Sequence, residues 1–195
     1  MKIPLLLEGF LFAYKKDIKE NINMKYTLET ERLILRPWKI DDAESFFYGW
    51  ATDSEVPKYL TWNVHKNIEE TRDLLNLWIK QYEKQERINF AIELKDTHEL
   101  IGGIDVVGYI DGVPVIGYTL KRDKWNQGYM TEACNCVRDF LFSLGYNTIK
   151  IDAVVENIGS NRVIQKCGGI LLGNEEQEFP NKGKVFRINN YIFKR

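Results

Sequence analysis

Several residues of this chain have the type and spacing for chemistry. In KRDKWNQGYMTEA, residues 121–133, a single glycine, Gly128, stands between an apolar run ending at Leu120 and a segment with helical spacing. A helix opens with about four N–H groups that lack intrahelical partners, and with the helix dipole they form a site for an anion. A glycine there lets a bulky phosphate reach the backbone and accepts unusual φ. Geometry alone leaves two readings open, a plain strand-to-helix turn and a phosphate cradle. The G-x-x-x-x-G-K-[ST] pattern is absent, as is a G-x-G-x-x-G after an early strand. A second group, Asn157 and Ser160 in NIGSNRVIQKCGG, opens a short helix, where both residue types suit capping. A third is carboxylate. Asp152 lies in TIKIDAVV between apolar Ile151 and Ala153, so it points to the opposite face of its strand. Glu93 and Asp105, on neighbouring strands, are further candidate bases. His65 and His98 suit a base by their ordinary pKa but fall in loop and turn segments and read as surface residues.

Composition narrows the class. The 195 residues are 44% hydrophobic, with 27 basic and 28 acidic residues and a net charge of −1. Such a chain buries a core without cross-links and has no global pull toward nucleic acid or an anionic membrane. Cys134, Cys136 and Cys167 do not make a disulfide framework; as reduced thiols they fit a cytoplasmic protein. With two histidines in the chain, no metal site is expected. No stretch reaches transmembrane length. The start, MKIPLLLEGFLFAY, is interrupted by Glu8 and Gly9 and lacks a small-residue cleavage site, which disfavours a signal peptide. Residues 1–23 therefore read as an appendage or an upstream start, and residues 24–195 as a single domain beginning at Met24.

The elements that must position these groups follow from periodicity. RLILRPW is a strand. Ile40, Ala43, Phe46, Phe47 and Trp50 share one helical face, as do Ile68, Thr71, Leu75, Trp78 and Tyr82. Ile88, Phe90, Ile92 and Leu94 have strand spacing. LIGGIDVVGYIDGVPVIGYTL is a hairpin turned at Asp111-Gly112, where both positions want positive φ. A helix over 131–144 ends at Gly145; then come a strand, a short helix and one or two strands. Sequential hairpins with late strand–helix alternation predict a mixed α/β (α+β) sheet rather than a doubly wound parallel one.

GYTLKRDKWNQGYMTEA resembles the acetyl-CoA signature of the GNAT N-acetyltransferase superfamily, nearest its ribosomal-protein N-terminal acetyltransferase (Rim) type, with "GYWL" followed by "W-G-x-G-Y-A-T-E-A". TERLILRPW is similar to that family's opening strand, LIGGIDV to its third strand, and NIGSNRVIQKCGG to its "N-x-x-S-x-R-V-x-E-K-x-G-F" helix. The likeness runs from about residue 27 to the C-terminus, in the family's order.

The resemblance implies the GNAT fold: a mostly antiparallel sheet of six or seven strands, flanked by helices, whose fourth and fifth strands splay apart. It implies acetyl-CoA as co-substrate, held at its pyrophosphate by the turn Trp125, Asn126, Gln127, Gly128, Tyr129, Met130 and Thr131. The backbone of Tyr118 and Leu120 would receive the pantetheine and acetyl carbonyl, and Asn157 would hydrogen-bond the pantetheine. Trp125 is normal for the Rim type, whereas Asn126 replaces a glycine and Met130 is bulkier than the usual alanine. The tyrosine that many members place seven residues after the asparagine is Ile164 here, and a carboxylate two residues before "GY" is Val115. That leaves Ser160 as candidate acid and Asp152, five before the asparagine, as candidate base through water.

The implied activity is direct acetyl transfer to a primary amine, of a protein N-terminus or a small molecule, by a cytoplasmic enzyme that need not bind metal, nucleic acid or membrane and that forms a homodimer if it follows family habit. Two rivals stand beside it: an acyl-CoA-binding regulatory module with little turnover, motivated by the missing tyrosine and carboxylate, and an unrelated phosphate-binding α/β domain. Tyr59 and Trp62 read as lid or acceptor-wall residues, and Trp50 and Trp78 as core.

Overall fold

The computed structural model describes residues 26–84 and 87–195; the appendage expected at residues 1–23 lies outside them. Eight strands form one sheet: β1 (Leu28–Glu29), β2 (Leu33–Arg36), β3 (Asn89–Leu94), β4 (Leu100–Ile110), β5 (Val113–Leu120), β6 (Thr148–Val154), β7 (Ile170–Phe179) and β8 (Lys184–Lys194). Their spatial order is β1-β2-β3-β4-β5-β6-β8-β7. Every neighbouring pair is antiparallel except β5 and β6. The helices are α1 (Ala43–Phe46), α2 (Ile68–Glu83), α3 (Tyr129–Ser143) and α4 (Ile158–Lys166).

Local chemistry accounts for the elements. At the β4–β5 hairpin Asp111 and Gly112 take φ of 52° and 78°, as a two-residue turn requires. Asn67 caps α2 by accepting the Glu70 N–H. Gly145 closes α3 and Gly168 follows α4, both at positive φ. One sheet face carries the main core, in which Leu33, Leu35, Phe90, Ile92, Ile104 and Ile116 meet Ala133, Val137 and Leu141 of α3 and Ile164 of α4. The other face, over β2 to β4, is covered by Phe46 of α1, by Trp50 just after it and by Leu75 of α2, around Trp38. With both faces covered, all six residues of β3 are buried.

Three departures from the sequence reading have physical causes. The sheet has eight strands. The extra ones are β1, too short to show a period, and β7, an edge strand whose ILLGNEEQEF is exposed along most of its length and so shows no alternation. The first expected helix is broken into a 3-10 turn (Ile40–Asp42), α1 and a π-turn (Phe47–Ala51), which re-registers the face: Ala43, Phe46 and Trp50 are buried and Ile40 is exposed. His65, read as a surface residue, is half-buried. Its Nδ1 lies 2.6 Å from Thr71 Oγ1, and its ring packs against Phe46 and Trp62.

The feature that matters for the site is a wedge in the sheet. β5 and β6 pair only at Val115↔Lys150 and Ile116↔Ile151. Beyond that, Gly117 to Leu120 stay on β4, and Asp152 to Val154 stay on β8. Because β5 and β6 are parallel, they diverge toward the ends from which α3 and α4 begin.

Candidate active site

One rim of the wedge is the turn after β5. Asn126 and Gly128 both adopt left-handed backbone, φ 60° and 84°. Asparagine tolerates this conformation, which is why it can stand where a glycine was expected. Gly128 is the N-cap residue of α3, and the first helical bond runs from Glu132 N–H to Gly128 C=O. The N–H groups of Tyr129, Met130 and Thr131 thus precede the ladder and remain as donors at the positive end of the helix. The turn is braced from within: Trp125 Nε1 donates to the Leu120 carbonyl at 2.8 Å, and Gln127 Nε2 to the Asp123 carbonyl at 2.7 Å. Met130 drops its side chain into the core, so its bulk does not fill the turn.

The brace from outside was not visible in the sequence. Arg32, in the β1–β2 turn, donates to Glu132 Oε2 at 2.7 Å and to the Gln127 carbonyl at 3.1 Å, and its guanidinium lies 4.4 Å from the Tyr129 ring centre. Glu132 Oε1 also accepts from Thr30 Oγ1 at 2.5 Å and from the Arg32 N–H at 2.8 Å. Burial would raise the Glu132 carboxyl, but these donors hold it below its ordinary range. A β-carbon on Gly128 would stand 3.4 Å from Arg32 Nη2, so the arginine is beside the open face of the turn. Nothing in the spacing of residues so far apart in sequence could have shown it.

The second rim is the start of α4. Asn157 caps it by accepting the Ser160 N–H at 3.2 Å. The Ser160 hydroxyl lies 2.9 Å from the Tyr118 hydroxyl, which also reaches the Ser160 carbonyl at 3.3 Å. β5 and α4 therefore meet hydroxyl to hydroxyl across the wedge. Burial pushes the Tyr118 phenol well above its ordinary pKa, against the Ser160 hydrogen bond, so it stays neutral. Ile164, at the place of the missing tyrosine, is a core residue. Cys134 and Cys167 pack behind Tyr118 as free thiols.

The carboxylates face the opposite side of the sheet. Asp152 is exposed, on the face of Val154 and away from Ile151 and Ala153; partial desolvation, then Glu175 nearby, raise its carboxyl. Asp105 is the register partner of both Asn89 on β3 and Gly117 on β5, the first residue past the β5–β6 pairing. Its carboxylate pairs with Arg87, and burial, opposed by Arg87, pushes its pKa up to about 6. Glu93 is committed elsewhere, to Arg36 at 2.6 Å and His98 at 2.6 Å. Tyr59 packs with Phe179 and Phe186 at the β7–β8 end. The loop that carries it is tied there by Asn63 Nδ2 to the Asn181 carbonyl at 2.8 Å and Asn181 Nδ2 to the Thr61 carbonyl at 3.1 Å. The structure thus brings the turn after β5, Tyr118, Ser160 and Asn157 to one side of the wedge and Asp152 to the other.

Comparison with known proteins identifies the family and the fold. Residues 32–170 match the family model described as an acetyltransferase (GNAT) domain. The chain is 33% identical over 175 residues to the uncharacterized N-acetyltransferase p20 of Bacillus licheniformis, covering 86% of this chain and 94% of that protein. In fold it is similar to a GNAT-family acetyltransferase from Bacillus anthracis, with a TM-score of 0.76, 24% identity, and coverage of 87% of this chain and 98% of the other. It is equally similar to RimL, a ribosomal L7/L12 α-N-protein acetyltransferase solved with coenzyme A, at TM-score 0.76, 20% identity, and coverage of 87% and 98%. The matched segment takes in the whole wedge, with the turn at Gly128 and the start of α4, and the chain belongs to the GNAT acetyltransferase family.

Proposed function

We propose that this protein is an acetyl-CoA-dependent N-acetyltransferase that moves the acetyl group directly to a primary amine, either a protein N-terminus or a small-molecule amine. The observation that carries the reading is the wedge between β5 and β6, open at one rim to the free N–H groups of α3 and at the other to the Tyr118–Ser160 hydroxyl pair. In this reading residues 24–195 are one catalytic domain, and the reduced thiols suit a cytoplasmic setting.

The residues present fit the group. The pyrophosphate would lie against the N–H groups of the turn from Asn126 to Thr131, where Asn126 and Gly128 supply the left-handed backbone and Arg32 a cation at the rim, while the Trp125 N–H is committed to the Arg122 carbonyl at 3.1 Å. The pantetheine would enter the wedge and complete the strand edge that Tyr118 and Leu120 lose when β6 diverges, with Asn157 as a polar partner on the α4 side. Acetyl-CoA supplies the activated acetyl group as a thioester. The chain's own residues do the rest. A β5 N–H polarises the carbonyl. The Ser160 hydroxyl, backed by Tyr118, gives a proton to the departing thiolate and regains one from the acylated nitrogen. Asp152, exposed on the acceptor face, attracts the ammonium form of the amine and passes its proton to solvent through water.

Free-thiol release from acetyl-CoA, followed with ethanolamine, spermidine, phenethylamine and a Ser-initiated peptide, tests the reaction. Turnover with at least one amine, with a mass gain of one acetyl on it, is the expected result. If CoA binds and none of a broad set of amines is acetylated, the reading gives way to a CoA-binding regulatory module.

A further inference from the structure

Asp105 is left without a role by the site as drawn, and its position is unusual. It sits on β4 between two register partners: Gly117, where the wedge opens, and Asn89 on β3. Adjacent strands lie about 4.8 Å apart, so the carboxylate is one strand spacing from the opening. It shares a sheet face with Gly103, whose β-carbon would strike Trp38 Cζ2 at 2.6 Å, and so it looks toward α2 and the acceptor side, as Asp152 does. Gly117 puts no side chain of its own between Asp105 and the wedge; Val107, from the β-bulge, lies over it on the same face, its Cγ1 2.9 Å from where a Gly117 β-carbon would stand.

The surroundings fit a working carboxylate better than a structural one. The Asp105 side chain keeps 16% of its surface, and Arg87 is its ion-pair partner. Arg87 in turn lies over the Trp78 ring at 5.2 Å and reaches Gln81 Oε1 at 3.5 Å. Tyr82 of α2 is the other ionisable neighbour; its hydroxyl is bound to the Asn89 carbonyl at 2.9 Å, and burial keeps it protonated. Two buried donors in this cluster, Arg87 Nε and Asn89 Nδ2, have no hydrogen-bond partner among the described residues, although Asn89 is only 4% exposed. Buried donors of this kind are rare, and a polar guest, a water or an oxygen of the acceptor, would satisfy them.

We infer that Asp105 is the catalytic base of this enzyme: it takes the proton from the bound ammonium at the apex of the wedge, with Arg87 and Asn89 as positioning residues, while Asp152 serves as entry and outlet. An N–H bond of the ammonium breaks, an O–H bond forms on an Asp105 carboxyl oxygen, and the free electron pair on nitrogen attacks the thioester carbonyl. Asp105 then hands the proton through water to Asp152, which passes it to solvent before the next cycle. The pushed-up pKa supports the role, since a base works best when its pKa approaches the working pH.

This inference rests on the acetyltransferase reading, and the test separates the two. The pH–rate profile is measured for wild type, Asp105→Asn, Arg87→Met and Asp152→Asn with the best amine of the panel, alongside CoA affinity and thermal melts. Wild type should lose kcat below about pH 6. Asp105→Asn should lose about 100-fold or more in kcat, within the usual range for a general base, at unchanged CoA affinity. Arg87→Met removes the cation that lowers the Asp105 pKa and should move the acidic limb to higher pH, which a merely structural role would not do. Asp152→Asn should raise KM for the amine and keep the limb. No turnover by wild type would sink the parent reading. Turnover by a folded Asp105→Asn with the wild-type limb and kcat would overturn this inference alone.

Discussion

At the level of single residues, the site depends on polar groups that other residues hold in place. Ser160 is a weak acid in isolation. What distinguishes it is a neutral phenol 2.9 Å away and a hydrogen bond from its own N–H to the cap residue Asn157. Ser160→Ala should lower kcat by about tenfold, below the roughly 100- to 10,000-fold usual for a general acid, because a thiolate is a fair leaving group. Tyr118→Phe should reproduce part of that loss. An unchanged kcat in both variants would show that the thiolate is protonated from solvent. The left-handed residues of the turn carry a different kind of information. Gly128 could be read from the sequence because glycine at a helix entry has few uses, and Asn126 because asparagine tolerates positive φ. Arg32 could not, because its meaning lies in contacts with Gln127 and Glu132 that only the folded chain creates. Asp105 was one of several strand carboxylates until the register placed it beside Gly117.

At the scale of elements, two tethers hold the rims of the wedge. Thr30 and Arg32 anchor the first turn of α3 through Glu132. Glu132→Gln should weaken CoA binding several-fold through a looser turn, measured by calorimetry, with little effect on the amine KM. The second tether is Asn161 of α4, which donates to the Val154 and Asn157 carbonyls at 2.9 and 2.8 Å and accepts from Asn189 Nδ2 and the Tyr191 hydroxyl, each at 2.8 Å. Asn161→Ala strands buried groups on three elements and should cost about 2–4 kcal/mol in urea melts, at roughly 1 kcal/mol or more per orphaned group. A cost under about 1 kcal/mol would mean that water replaces the network. Elements with a clean period were legible: α2, α3, β3 and the β4–β5 hairpin lie where alternation, helical spacing and the Asp111-Gly112 turn put them. Those whose partners impose them were not. Edge strand β7 has no buried face to leave a pattern, and the π-turn at Phe47–Ala51 shifts a register that the periodicity alone would continue.

At the scale of the molecule, acid should weaken the fold. Glu99 is held below the ordinary carboxylate range by Lys121 and Lys124, and Glu93, despite its burial, by His98 and Arg36. A depressed carboxyl stabilises the fold above its unfolded pKa and loses that contribution as pH falls through the folded one, so these terms disappear below about pH 4.5. Asp105 has the opposite sign: its raised pKa makes the folded state gain protons, and relative stability, between about pH 6 and 4. Urea midpoints should therefore change little from pH 7 to 5 and fall steeply toward pH 3; a steady decline from pH 7 would contradict this balance. Whether the wedge and its turn hold CoA is decided by calorimetric titration of wild type and a folded Gly128→Glu variant with acetyl-CoA, CoA and ATP. Wild type should bind both CoA species more tightly than ATP, and the variant, with a side chain at φ 84° and a carboxylate facing the pyrophosphate, should lose that binding while it still melts cooperatively. Wild-type protein that does not bind acetyl-CoA, or a variant that binds it as well as wild type, would contradict that expectation.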